Sequence, residues 1–377
     1  MRLLVNTLSI GSMSGEHVVY GFLRPLIAKL ADNDSLVIVH CDGQPPPGEI
    51  SDSEQVITHA ISDRFRHWAL RAGWEALRLP GLIRKFNANR VLNVSGAITP
   101  FLKTPQVSLA MNPWCYITEA RSGLVQEFKA LMQRRGHRYA FRNAEQMVYI
   151  SVHLRDLYRN ANQDSLDREA PSTIAYVGLD DQLFASAEET KSLERKPYSI
   201  LCVSALAPWK GAETLVEAVN LLRLRDIPAV LDLVGPWPDQ AYREKIEALI
   251  ALRGLSDAIR IHGKVPVEEL YRHNATHQVY CLMSSSESFG IPAAEAMAFG
   301  TPIVSADCCA IAEICDRAGL FGPVNDPVWT AQALESLLTD EIAWGQLSDS
   351  ARDKASRLTW SQCVEPLFEV LGLGRAA

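Results

Sequence analysis

Short β-rich runs alternate with longer amphipathic segments along this chain, and the alternation starts twice. Few folds admit that rhythm. Parallel strands need a helical crossover to bring the chain back, and the helices then cover both faces of the sheet. Strand-like runs stand at 2–9, 36–41, 55–58, 90–94, 106–111, 146–150 and 173–177, with helical periodicity between most of them. The polar stretch ASAEETKSLERKP at 185–197 interrupts the pattern and reads as a linker. The rhythm then resumes, with strands at 197–206, 228–235, 259–263, 277–284 and 301–307 and helices between and after them. A length of 377 residues exceeds the ~100–150 of a common domain. Two doubly wound α/β domains are therefore expected, 1–184 and 195–357. In such sheets ligands bind beyond the carboxyl ends of the strands, and a cleft facing both domains is the natural site.

Composition removes several function classes. The 47% hydrophobic and 21% charged residues are those of a globular chain and not of a disordered one. No apolar run approaches the ~20 residues of a membrane-spanning helix. The start, MRLLVNTLSIGS, reads as a first strand and not as a secretion signal, so a cytoplasmic location is expected. Eight cysteines without a C-x-x-C pair fit buried free thiols better than a zinc cluster. Asp32 and Asp34 read as solvated surface acids, and no metal ligands are expected. The net charge of −7 is uneven. Residues 1–186 carry 20 Lys+Arg against 18 Asp+Glu, and residues 187–377 carry 17 against 26. Within 64–90, seven basic residues are interleaved with Trp, Leu and Phe, with only Glu75 on the acidic side. This stretch suits either peripheral contact with an anionic membrane or a surface helix whose Trp68, Leu70, Trp74 and Leu77 reach the core. No extended basic face for nucleic acid is present.

Three turns carry the candidate chemistry. The densest is ESFGIPAAEAMAFGTP at 287–302. Pro292 suits the first turn of a helix, where its missing N–H costs nothing, and Gly290 permits close backbone approach. The amides of Phe289, Gly290 and Ile291 can face an oxygen-rich group at the positive end of the helix dipole. Glu287 before the helix and Glu295 inside it can accept hydrogen bonds from vicinal hydroxyls. The second turn, APWKG at 207–211, places Lys210 at a strand-to-helix junction, where a point charge suits a diphosphate. The third, IGSMSGEH at 10–17, is a small-residue turn around Gly15. It matches neither the dinucleotide fingerprint nor a Walker loop.

The run from Glu287 to Glu295 resembles the Glu-x7-Glu motif of the retaining glycosyltransferases of family 4. Lys210-Gly211, LVGPWP, IRIHGKVPVEELYRHN and AIAEICDRAGLFGPVNDP resemble that family's flanking segments. The likeness is specific over about 195–340 and rests on strand order alone over 1–180. It implies the GT-B fold, two Rossmann-like domains facing a central cleft, with a C-terminal helix at 358–373 returning to the first domain. It further implies a nucleoside-diphosphate-sugar donor, a glycan or lipid-linked acceptor and no metal or other cofactor. Glu287 and the amides of 289–291 would hold the donor sugar, and Glu295 the ribose. Lys210 would neutralise the leaving diphosphate, and Val265 would meet the base through its backbone. Gly15 would approach the diphosphate from the first domain.

Two positions depart from the family pattern. Ala205 stands where a second diphosphate-binding arginine is common. Asn112 stands nearest to the family's donor-sugar histidine and is a further candidate site residue. The implied reaction is transfer of a sugar with retention of configuration, in surface polysaccharide or glycolipid synthesis, at or near the inner face of the membrane. The alternatives are a sugar-nucleotide epimerase of the same fold class and a catalytically silent nucleotide- or partner-binding protein.

Overall fold

A computed structural model describes residues 1–118, 121 and 123–373. The chain divides into two compact units, Met1–Gly178 with Trp360–Ala377, and Leu179–Thr359. Both are built on parallel sheets, with helices between most successive strands.

The first unit has seven strands: β1 (Arg2–Asn6), β2 (Ser35–Cys41), β3 (Val56–Ile61), β4 (Arg90–Asn93), β5 (Gln106–Ala110), β6 (Gln146–Tyr149) and β7 (Ser172–Ile174), in the order β3-β2-β1-β4-β5-β6-β7. Leu4 of β1 lies between Val37 and Val91, and all three are fully buried. Central strands of a sheet covered on both faces read as continuous apolar runs, which is why these strands are legible in the sequence. The second unit has six: β8 (Lys196–Val203), β9 (Val230–Val234), β10 (Ile259–Gly263), β11 (His277–Leu282), β12 (Ile303–Ala306) and β13 (Gly319–Gly322), in the order β10-β9-β8-β11-β12-β13. In each sheet the order reverses beside the unit's first strand, so loops leaving opposite neighbours open a crevice there. The doubly wound α/β architecture expected from the sequence is thus present twice.

Several expectations are corrected. The polar stretch 185–197 is not a linker. Its first residues, 185–189, belong to the helix Asp181–Glu189, which buries Leu183 and Ala187 one turn apart, and Lys196 already begins β8. The unit boundary therefore falls earlier, at Gly178, because the amphipathic face of that helix packs inside the second unit. The short strand β13 was not anticipated, since GLFG carries two glycines and no alternation. Of the four side chains expected in the core from the basic stretch, Leu70 and Leu77 are 51% and 80% exposed, and Trp68 and Trp74 are half-buried. The helix Trp68–Phe86 instead buries Leu79 and Ile83, one turn apart on the face that meets the sheet. Asp34 is buried and paired with the Met1 amine, not solvated. All eight cysteines are free.

The returning C-terminal segment forms two short helices, Trp360–Cys363 and Glu365–Leu371. Trp360 anchors it to the first unit, packing edge-on to Phe22 with ring centres 5.2 Å apart. A Cβ on Gly21 would lie 2.0 Å from the Trp360 ring, and one on Gly178 would lie 2.6 Å from its backbone. Arg90 donates to the carbonyl oxygens of Val370 and Leu371 at the far end.

Candidate functional site

The site is assembled where β8 and β11, adjacent and parallel in the second sheet, release their loops side by side. After β8 the chain makes a single turn, Pro208–Lys210, and passes through Gly211 into the helix Ala212–Arg223. Gly211 has φ +73°, and a Cβ there would sit 2.4 Å from the Met283 carbonyl oxygen. Only glycine accepts both the left-handed backbone and that proximity. The Trp209 carbonyl accepts hydrogen bonds from Ser285 N at 2.9 Å and Ser284 Oγ at 3.2 Å. These bonds lash the Lys210 turn to the loop that carries Glu287.

The consequence is direct. The Lys210 ammonium donates to Glu287 Oε1, with both side chains largely shielded from water. The Glu287 carbonyl also accepts from Ala310 N at 3.2 Å. The loop then reaches Gly290, with φ +90° and only 2.5 Å between an added Cβ and Ile311 Cγ1. Gly290 precedes the helix Ile291–Ala298, which has Pro292 in its first turn. Phe289 is buried and fixes the loop from beneath.

Glu295 lies in the second turn of that helix. Burial pushes its carboxyl up to about 7, and the nearby Asp180 carboxylate adds to the effect. Asp180 immediately precedes the helix Asp181–Glu189, so a residue that the sequence reading placed in the first domain supplies a charge that acts on the site. Tyr271, its ring tilted 40° to that of Phe299 with centroids 5.7 Å apart, is pushed up to about 12 by burial and by Glu295. Sequence reasoning missed both Asp180 and Tyr271, and neither belongs to a recognisable motif. Cys308 departs from the buried thiols expected of all eight cysteines. It is the single exposed cysteine, and the hydrogen bond from Cys309 brings its thiol down to about 7.

The remaining candidates sit as follows. Val265 is half-buried after β10, in a loop held by Gly235 N donating to Gly263 O at 2.7 Å. Ala205 is exposed on the loop after β8. Gly15 and Asn112 belong to the first unit. Gly15 lies in the first turn of the helix Met13–Ala28, its N–H donating to the capping Ser12 Oγ at 3.1 Å. Asn112 is exposed after β5, and its carboxamide oxygen accepts from Trp114 N at 2.9 Å. One half of the Asn112 amide is thus committed to a turn.

A carboxylate and an ammonium paired at a helix N-terminus, with a second carboxyl one turn on, can bind hydroxyls and phosphate together. Residues 186–356 match the glycosyl transferases group 1 family. Over 175 residues the chain is 33% identical to the D-inositol 3-phosphate glycosyltransferase of Corynebacterium diphtheriae, 45% of this chain and 41% of that protein. The chain thus spans about half the length of the curated relatives it matches, or somewhat less. Among solved structures it resembles sucrose-phosphate synthase from Thermosynechococcus elongatus, with TM-score 0.75, 18% identity and coverage of 99% of this chain and 98% of that one. It also resembles Anabaena HepE in complex with UDP and glucose, with TM-score 0.72, 16% identity and 99% of each chain covered. These likenesses bear out the GT-B fold. The matched segment contains Lys210, Val265 and the whole 287–302 turn. Among the described residues no helix is long and apolar enough to cross a membrane.

Proposed function

We propose that the protein is a glycosyltransferase that moves a sugar from a nucleoside diphosphate sugar to an acceptor, with retention of configuration. The observation that carries this reading is the Lys210–Glu287 pair at the mouth of the helix bearing Glu295. Cleavage of the donor bond develops negative charge on phosphate and positive charge on the sugar. Lys210 and the helix dipole stabilise the first. Glu287, released from part of its bond to Lys210 by the arriving phosphate, holds the sugar hydroxyls with the amides of Phe289, Gly290 and Ile291. Glu295 takes the ribose diol, and the backbone at Val265 takes the base. The departing phosphate accepts the acceptor's proton on the same face, so transfer needs no metal.

The acceptor is a glycan or lipid-linked saccharide of surface polysaccharide or glycolipid synthesis. Peripheral contact with an anionic bilayer, through the basic helix Trp68–Phe86 and its exposed Leu70 and Leu77, brings the enzyme to a lipid-linked acceptor. Co-sedimentation with anionic vesicles at low salt tests that part, and no binding removes it.

The donor is tested by thermal shift against UDP, GDP, ADP and their sugar conjugates in the presence of chelator. Binding to the folded state alone raises stability by about 2.7 kcal/mol at a hundredfold excess over Kd. A shift with one nucleotide names the donor class, and its loss in Lys210→Ala ties it to this site. A second reading, a silent nucleotide-binding protein, draws on Ala205 and on the partial neutralisation of Lys210 by Glu287. Nucleotide binding without turnover of any sugar conjugate, across a panel of saccharide acceptors, would favour it.

A further inference from the structure

Away from the glutamates, the second unit gathers one aspartate and three histidines around a single buried carboxylate. Asp232 on β9 is 3% exposed. Its Oδ1 accepts from His262 Nε2 at 3.0 Å, and its Oδ2 lies 2.6 Å from His277 Nε2. His262 is the last residue but one of β10 and His277 opens β11, while His273 comes from the last turn of the helix Val267–Thr276. The three strands are not neighbours in one row, since β9 and β11 lie on either side of β8. The cluster therefore spans β8 on one face of the sheet.

Proton bookkeeping exposes a gap in this arrangement. His277 Nδ1 is 2.8 Å from the His273 carbonyl oxygen. A carbonyl only accepts, so Nδ1 carries the proton. In the neutral ring Nε2 then bears a lone pair, and it points at a carboxylate oxygen. Two acceptors at that separation need a positive charge between them. A second proton on His277 supplies one, but it leaves His273 unexplained. His273 is 8% exposed, and among the described residues its Nδ1 has no hydrogen-bond partner. That nitrogen lies 4.0 Å from Asp232 Oδ2. An unsatisfied buried nitrogen costs about 1–3 kcal/mol, and a proton on His277 does nothing to relieve it.

We propose that Asp232, His273 and His277 form a structural site for a divalent transition-metal ion, zinc being the natural occupant. Their donor atoms all lie within 4.8 Å of one another. Zinc takes imidazole nitrogen and carboxylate oxygen at about 2.0–2.2 Å, so the Asp232 and His277 atoms part by less than ~1 Å to admit it. The outer shell is already built. A ligating histidine ordinarily donates its other N–H to a carbonyl or carboxylate. His277 Nδ1 meets the His273 carbonyl, and His262 holds the second oxygen of Asp232. His273 Nε2 stands 3.8 Å from Glu269 Oε1. An ion here fastens β9, β11 and the helix Val267–Thr276 together beneath the loop carrying Val265. It takes no part in the sugar-transfer reading above, so either reading can fail alone.

The test loads the chelator-treated full chain with Zn²⁺ or Co²⁺, desalts it and measures bound metal per chain. One equivalent is expected, with a Zn²⁺-dependent rise in Tm. The Co²⁺ form should show visible bands of four-coordinate intensity and no thiolate charge-transfer band, since no cysteine is a ligand. His273→Gln removes the nitrogen that makes no hydrogen bond. It should keep the circular dichroism of the parent but lose metal affinity at least tenfold and lose the Zn²⁺-dependent Tm rise. Absence of retained metal in the parent overturns the proposal and leaves a proton bridging Asp232 and His277. Equal retention by His273→Gln, or a strong cobalt–thiolate band, overturns it in favour of binding by the eight cysteines. Should His273→Gln not fold, the parent's cobalt spectrum still decides between the two ligand sets.

Discussion

In each unit the first strand leads into a glycine-bearing turn, but the glycines of the two turns do different work. In the second unit Gly211 has a left-handed backbone, and a side chain there would strike Met283 O. Gly290, on the neighbouring loop, is constrained in the same two ways. In the first unit Gly11 has no atom within 4 Å of where its Cβ would be, and Gly15 meets Ser12 Oγ only at an ordinary 3.4 Å. Neither carries a positive φ. The fold itself demands the glycines beside Lys210 and Glu287. It does not demand those at 11 and 15. A glycine that the fold does not require is one whose missing side chain can matter to something outside the fold, and it is the family resemblance that assigns Gly15 a role there.

The sharpest way to break this comparison is to remove the charge that the constrained turn positions. Lys210→Ala should lower kcat/KM for sugar transfer by about 10²–10³, the usual effect of deleting one preorganised electrostatic contact. Glu287→Ala should fall in the same range. Unchanged transfer in either variant would reduce the pair to a structural ion pair. Gly290→Ala comes next. A non-glycine residue held at such a φ costs about 1–3 kcal/mol, and the overlap with Ile311 adds to it. The check is the denaturation midpoint, and no shift would mean that the loop relaxes freely.

Glu295 sharpens the comparison through pH. Its acid is held up to about 7 in the folded chain, above the ordinary value of about 4.3. Below pH ~4 it is protonated in both folded and unfolded chains, and its contribution to stability is complete. As pH rises through about 7 the folded chain must give up a proton that burial retains, and that contribution is lost. The loss accumulates between pH ~4 and about 7 and should be on the order of 3–4 kcal/mol by chemical denaturation, and Glu295→Gln should remove it. A ribose diol donates to the charged carboxylate, so nucleotide should bind more tightly as pH rises from 6 to 8. The smallest effect on stability is that of Gly15→Ala. With only ordinary van der Waals contacts at its Cβ and a helical backbone, alanine should leave Tm unchanged or raise stability by about 0.5–1 kcal/mol, while transfer slows. Transfer at the parent rate would take Gly15 out of the donor site.

Much of this architecture can be read from sequence because buried parallel strands are nearly pure apolar runs. SILCV in β8 and SLVIVHC in β2 announce themselves. The elements that were misread share a physical cause. GLFG at β13 and the polar 185–197 stretch are decided by what they pack against, and a short or charged segment carries little periodicity of its own. The basic helix Trp68–Phe86 was recognised, but its inward face was not. Its aliphatic and aromatic residues run nearly all round it, and the position of the sheet alone selects Leu79 and Ile83. In the candidate site, the residues of 287–302 and Lys210 are legible because helix entry, a proline and acidic side chains fall at fixed spacing. Asp180, which raises the Glu295 acid, is not, because more than a hundred positions separate the two.

The sequence alone determines that the chain makes two wound α/β sheets and that glutamates, amides and a lysine stand at helix entrances in the second. Local pattern suffices there, since each feature lies within one strand–turn–helix unit. Tertiary structure alone decides which of them meet. Strand order sets β8 beside β11, and so sets Lys210 on Glu287. The same order draws Asp232, His262, His273 and His277 from three strands and a helix onto one carboxylate. No spacing in the sequence marks that cluster, because proximity across a sheet depends on strand order and not on separation along the chain.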